Sequence, residues 1–153
     1  VHYENNGKHH IRRQSLFVPE TTIKCMIDSL ADQIFNSGIK FAQIVGIANG
    51  GLNISIPLSK ILKLPHTSVR ISHYDGHIPR KIPVIDGELN IKNNLIVDDM
   101  TDGGFTLKTF DRVFGLEGNK TAVLFWNKYG GVVPDFYAAE KPNSWIVFPW
   151  SKE

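Results

Sequence analysis

Three aspartates, Asp98, Asp99 and Asp102, stand directly behind the apolar run Leu95–Val97 and frame the approach to Gly103 and Gly104, in the stretch NLIVDDMTDGGFT. A glycine loop that opens a helix presents successive backbone N–H groups at the positive end of the helix dipole, and such an array cradles an anion. A phosphate monoester is the natural occupant. Carboxylates beside that cradle repel the ligand unless they hold a cation or accept hydrogen bonds from hydroxyl groups. A sugar phosphate with Mg²⁺ reconciles the two halves, with Asp98 and Asp99 facing the ribose and the metal and the segment from Asp102 to Thr106 taking the phosphate. Aspartate and glycine also serve in ordinary exposed turns, but three acids packed between an apolar strand and a helix exceed what a turn requires. No GxxxxGK[ST] occurs and no GxGxxG follows a strand, which argues against a nucleoside-triphosphate P-loop.

The elements that must position these residues read from periodicity. TTIKCMIDSLADQIFNSG carries Ile23, Met26, Ile27, Leu30, Ile34 and Phe35 at helical spacing, with Thr21 or Thr22 as the expected cap and Gly38 as the stop. FAQIVGI reads as a strand buried on both faces, followed by the turn ANGG and a second helix through Ile54, Leu58, Ile61 and Leu62. HTSVRIS is a further strand. The polar excursion from Tyr74 to Lys92 reads as a surface flap, with VIDGEL as a two-residue hairpin at Asp86-Gly87. NLIVDD is again a strand, DGGFTLKTFDRVFG a loop entering a helix, and KTAVLFW the strand behind it. Apolar strands alternating with helices predict an α/β fold with a mainly parallel sheet flanked by helices, and ligands in such sheets sit beyond the carboxyl ends of the strands. Both glycine turns fall there.

Composition narrows the class. With 153 residues, 42% of them hydrophobic, the chain can build one domain, 1–153, around one core. No apolar run is long enough to span a membrane and no secretory leader is visible, so the expectation is a soluble, cytoplasmic protein. A formal charge of +2, with scattered Lys and Arg, argues against a nucleic-acid partner. The cluster KHHIRR, Lys8 to Arg13, reads as a solvated basic segment, and the single cysteine, Cys25, as buried and inert.

The stretch IVDDMTDGGFT resembles the signature of type I phosphoribosyltransferases, in which a buried strand ends in two acidic residues and continues through an Asp-Thr-Gly-type loop to a threonine. VGIANGGLNISIPLSKIL resembles the family's pyrophosphate loop and following helix, and SHYDGHIPRKIPV its flexible flap, here about 74–91. The ending WIVFPW resembles the base-binding tail of the xanthine-guanine and hypoxanthine branch, here about 127–153. The resemblance implies a Mg²⁺-dependent enzyme, forming homodimers or homotetramers, that transfers ribose 5-phosphate from phosphoribosyl diphosphate to a 6-oxopurine (guanine, xanthine or hypoxanthine) in purine salvage. Non-catalytic phosphoribosyl diphosphate or nucleotide binding, and a different base acceptor, remain the alternatives.

Residue by residue, the resemblance implies that Asp98 and Asp99 hold the ribose hydroxyls and Mg²⁺, and that Asp102, Gly103, Gly104, Phe105 and Thr106 bind the 5-phosphate. Asp102 would also move the base proton. Asn49, Gly50 and Gly51 would meet the diphosphate, joined by Arg80 when the flap closes. Lys128 would donate to the exocyclic oxygen at C6, Trp145 would stack on the base, and the Ile146 backbone would read its edge. An ammonium at C6 discriminates against adenine, whose amino group would leave two donors face to face. Trp150 reads as core packing. This chain departs from the pattern at three points: Asn49 replaces a basic residue, Gly103 a threonine and Phe105 a frequent glycine. The departures at Asn49 and Gly103 imply weaker affinity for phosphoribosyl diphosphate or altered specificity.

Overall fold

In the computed structural model the described residues are 2–3, 9–10, 14–75, 78–87, 89, 92–102, 104–115 and 118–151; the side chains at 2–3, 9–10, 73–75, 79–84, 105 and 113–114 are not included. The elements are β1 (His2–Tyr3), β2 (His9–His10), β3 (Ser15–Phe17), α1 (Glu20–Asn36), β4 (Gln43–Ala48), α2 (Leu52–Leu62), β5 (His66–Asp75), β6 (Ile78–Asp86), β7 (Asn94–Thr101), α3 (Phe105–Phe114), β8 (Lys120–Trp126), β9 (Phe136–Glu140) and β10 (Trp145–Val147). Six strands form one sheet in the order β6-β5-β4-β7-β8-β9, and every pairing in it is parallel except β5 with β6. The expected mainly parallel α/β architecture is therefore present.

Alternation along the central strands feeds two cores. Ile44, Leu95, Val97, Ala122 and Leu124 face α1, α2 and the C-terminal tail, where they pack with Ile27, Leu30, Ile54, Leu58 and Phe148. Val45, Ile47 and Ile96 face the other way, onto Leu107 and Phe110 of α3. Helices on both faces explain why β4 and β7 read as nearly continuous apolar runs.

Several local expectations change. β6 ends at Asp86, and among the described residues no strand folds back on it across Asp86-Gly87; the hairpin observed is that of β5 with β6, with Asp75 opposite Ile78. The strand after Gly87, β7, instead pairs in parallel with β4 and β8, because its two-sided apolar run belongs in the sheet centre. Pro19, not Thr21 or Thr22, occupies the N-cap of α1, and no side chain caps it; Glu20 supplies first-turn negative charge to the helix dipole instead. At the other end, Gly38 follows Ser37 with φ 70° and donates to the Phe35 carbonyl. Phe35 is 79% exposed and Cys25 is also exposed, both lying off the stripe Ile23, Ile27, Leu30, Ala31 and Ile34 that faces the sheet. Ile61 is about half exposed for the same reason on α2. The short strands β3 and β10 pair in parallel, Ile146 against Leu16, and fasten the tail beside α1. Among the described residues no helix is long and apolar enough to cross a membrane.

Candidate functional site

The chain leaves β4 for α2 and β5 on one side of the sheet and leaves β7 for α3 and β8 on the other, so the neighbouring carboxyl ends of β4 and β7 form a topological switch point. Two glycines bring the turns that follow into contact. A Cβ on Gly50 would fall on the Asp99 carboxylate. A Cβ on Gly51 would lie 2.5 Å from the Ile47 carbonyl oxygen and 2.6 Å from that of Val97, so the start of α2 is wedged between the two strands. The peptide between Ala48 and Asn49 is cis. Sequence spacing could not show that the ANGG turn and the acidic pair are one feature.

Asp98 and Asp99 are partly buried side by side, and the Asp99 amide donates to Asp98 Oδ1 at 2.8 Å. Burial pushes the Asp98 carboxyl well above the usual carboxylate range, and the adjoining Asp99 charge adds to the rise. Burial also raises Asp99, against hydrogen bonds with Asp98, Trp150 and the Met100 main chain that favour its ionised form. Trp150 supplies one of these from Nε1 to Asp99 Oδ2 at 3.4 Å while its ring stacks on Phe148 at 4.6 Å. Trp150 thus packs against the core as expected and also reaches the acidic pair, a contact that no local motif announces.

Downstream, α3 begins as the loop reading requires. Its N-cap is Gly104 at φ 73°, no side chain caps it, and its first turn contains no acidic residue, so the leading amides stay available to an anion. Asp98, Met100, Thr101, Asp102, Gly104, Thr106 and Leu107 line a cavity of about 220 Å³ there. Gly103 lies outside the described residues, and Phe105 contributes the first backbone position of the helix. Thr101 is 4% exposed, and among the described residues its Oγ1 has no hydrogen-bond partner. Thr101→Val should accordingly stabilise the ligand-free protein by about 1 kcal/mol, roughly 2–4 °C in Tm. Calorimetry that found a lower Tm would mean the hydroxyl is bonded after all.

Asp102 also borders a second cavity of about 410 Å³, with Asn127, Tyr129, Lys141, Pro142 and Asn143. The loop after β8 is tied to it: Asn127 N donates to the Thr101 carbonyl at 3.0 Å and Asn127 Nδ2 to Asp102 Oδ1 at 3.1 Å. Lys128 turns elsewhere, with its ammonium 3.8 Å from Glu140 Oε2 and 5.3 Å from the Tyr129 ring centroid. The lysine on this cavity wall is Lys141, whose Nζ donates to the Ser144 carbonyl at 3.1 Å. Trp145 is half exposed on β10 and is not among the residues lining either cavity, while Ile146 beside it is buried. Arg80 lies on β6, the second strand of the flap hairpin, and its side chain is outside the described residues. Asn49 is exposed and accepts a 2.9 Å hydrogen bond from Arg70 Nη2, a residue the motifs did not single out.

The described residues contain no group of three or more His, Cys, Asp or Glu that could hold a metal by themselves. An adjoining carboxylate pair nevertheless suits Mg²⁺, which takes one or two carboxylates and completes its shell with water and phosphate oxygens. Neutralisation by a cation would also relieve the two acids that burial and proximity disfavour as anions.

This is the arrangement of an open α/β protein with two cavities at the carboxyl edge of its sheet, of about 220 and 410 Å³, that share Asp102. The phosphoribosyl transferase domain model matches residues 20–153, and the chain belongs to that family, with the type I fold. It is similar to the crystal structure of a purine phosphoribosyltransferase from Pyrococcus horikoshii, with 32% identity and a TM-score of 0.77 over 91% of this chain and 95% of that one. The xanthine-guanine-hypoxanthine phosphoribosyltransferase of Helicobacter pylori shares the fold at 20% identity, TM-score 0.72, over 90% and 94% of the two chains. A Neisseria gonorrhoeae protein solved with bound ppGpp does so at 21% identity, TM-score 0.78, over 94% and 92%.

Proposed function

We propose that this protein is a purine phosphoribosyltransferase of salvage, transferring the 5-phosphoribosyl group of phosphoribosyl diphosphate to N9 of a 6-oxopurine and releasing pyrophosphate. The observation that carries the reading is Asp102, shared by the two cavities at the end of the strand that bears the acidic pair. A ribose phosphate in the smaller cavity and a purine in the larger would meet at that carboxylate. The likeness of this chain to a purine phosphoribosyltransferase at 32% identity supports a purine as the acceptor.

In this reading the amides at the start of α3 and Thr106 grip the 5-phosphate, which fixes the sugar so that C1 faces the base. Asp98 and Asp99 hold the ribose hydroxyls and Mg²⁺, which when bound offsets the charge of the diphosphate. The bond from C1 to the diphosphate oxygen breaks, N9 forms the new bond to C1, and the proton leaving the base passes to Asp102. Arg80, carried by the β5–β6 hairpin, closes over the diphosphate and limits water access to the electrophilic sugar. Asn127 and Lys141, which line the larger cavity where Lys128 and Trp145 do not, would face the exocyclic edge of a base held there.

The test is direct. Purified protein with phosphoribosyl diphosphate and Mg²⁺ should release pyrophosphate with guanine, hypoxanthine or xanthine, and not with adenine. Turnover with a pyrimidine instead would replace the acceptor. Calorimetric binding of donor and mononucleotide without pyrophosphate release from any base would favour the regulatory reading, which the neutral Asn49 and the structural neighbour holding ppGpp make the principal rival.

A further inference from the structure

Arg70 belongs to β5, with its Cα opposite Ala48 in the parallel register, so its side chain leaves the sheet beside the Asn49–Gly51 turn. Its Nη2 donates to Asn49 Oδ1 at 2.9 Å and the residue is exposed. Among the described residues no carboxylate lies within ion-pair distance of it, although Asp86 stands opposite in the β5–β6 register. A neutral amide therefore orients this guanidinium. Unlike a carboxylate, an amide acceptor leaves the positive charge uncancelled, and it occupies only one of five N–H donors in a fork that matches phosphate oxygens. The same turn meets the Asp99 carboxylate at Gly50. A diphosphate seated there would find a guanidinium at one residue of the turn and the acid that shares its cation at the next.

We propose that Arg70 is a diphosphate-binding residue of this protein, supplying from the neighbouring strand the cation that position 49 lacks, with Asn49 acting as the positioning residue that aims it. This rests on the phosphoribosyltransferase reading, and it changes one consequence drawn from the sequence: an asparagine at 49 does not leave the diphosphate subsite without a fixed charge.

The experiment is titration calorimetry with Mg²⁺ present, using inorganic pyrophosphate and, separately, guanosine monophosphate, on the wild type, Arg70→Gln and Asn49→Asp. Arg70→Gln should weaken pyrophosphate by about 10- to 100-fold, the range of a charge-assisted hydrogen bond, and leave the mononucleotide unchanged. Asn49→Asp should weaken pyrophosphate to a similar degree although Arg70 is intact, since the new carboxylate pairs with the guanidinium. In turnover, Arg70→Gln should raise KM for phosphoribosyl diphosphate with KM for the base unaltered. Arg70 is exposed, so both variants should melt as the wild type does. Wild-type affinity for pyrophosphate in Arg70→Gln would overturn the inference, as would equal losses of pyrophosphate and mononucleotide. A wild type that binds the mononucleotide but not pyrophosphate would overturn it while sparing the nucleotide site; one that binds neither would overturn the proposed function as well.

Discussion

Asp102→Asn should lower kcat by about 10²- to 10⁴-fold, the usual contribution of a positioned acid or base, and should leave the affinity for phosphoribosyl diphosphate close to that of the wild type. The separation follows from what touches what. In the proposed function the phosphate is held by main-chain amides at the start of α3, which the substitution does not alter. An asparagine is also nearly the same shape as the aspartate, and its side-chain oxygen can still accept from Asn127 Nδ2, so the loop after β8 stays tied to β7. What disappears is the ability to take a proton at the point where the two cavities meet. Steady-state kinetics and donor titration on the same preparation provide the check. Equal turnover in the two proteins would remove Asp102 from the chemistry, and a parallel loss of donor binding would make it a ligand contact instead.

The second large effect is on the frame that carries the site. Gly51→Ala should cost about 3 kcal/mol, at the upper end of the overpacking range, because the new methyl meets two main-chain carbonyls that cannot turn aside. For a chain of this size that is roughly 6–12 °C in Tm. Both carbonyls, of Ile47 and Val97, belong to strands fixed by parallel pairing, so relief requires separating β4 from β7. Gly50→Ala is the instructive control. Its methyl would fall on the Asp99 side chain, which can rotate, so thermal stability should hold while affinity for Mg²⁺ and donor falls. Thermal melts of the two variants, with donor titration of Gly50→Ala, would decide the matter; a Gly51→Ala protein as stable as the wild type would show that the wedge between the strands is not tight.

The amino-acid order alone was enough to place β4, β7, β8 and the three helices, because their signals are local: apolar runs for strands buried on both faces, helical periodicity, and glycines where one element hands over to the next. It was also enough to bring out the acid pair and the glycine loop, since those residues are contiguous in the chain. Only the folded molecule decided which distant segments share the cleft. Gly50 lies against Asp99, Arg70 reaches Asn49, Trp150 donates to Asp99, and Asn127 with Lys141 rather than Lys128 lines the wall beside Asp102. Each of these is a meeting at the carboxyl edge of neighbouring strands, set by strand order and register, and neither quantity leaves a periodic trace along one chain. The exposure of Cys25 and Phe35 has the same origin, because a helix has a buried face only once the sheet it packs against is in place.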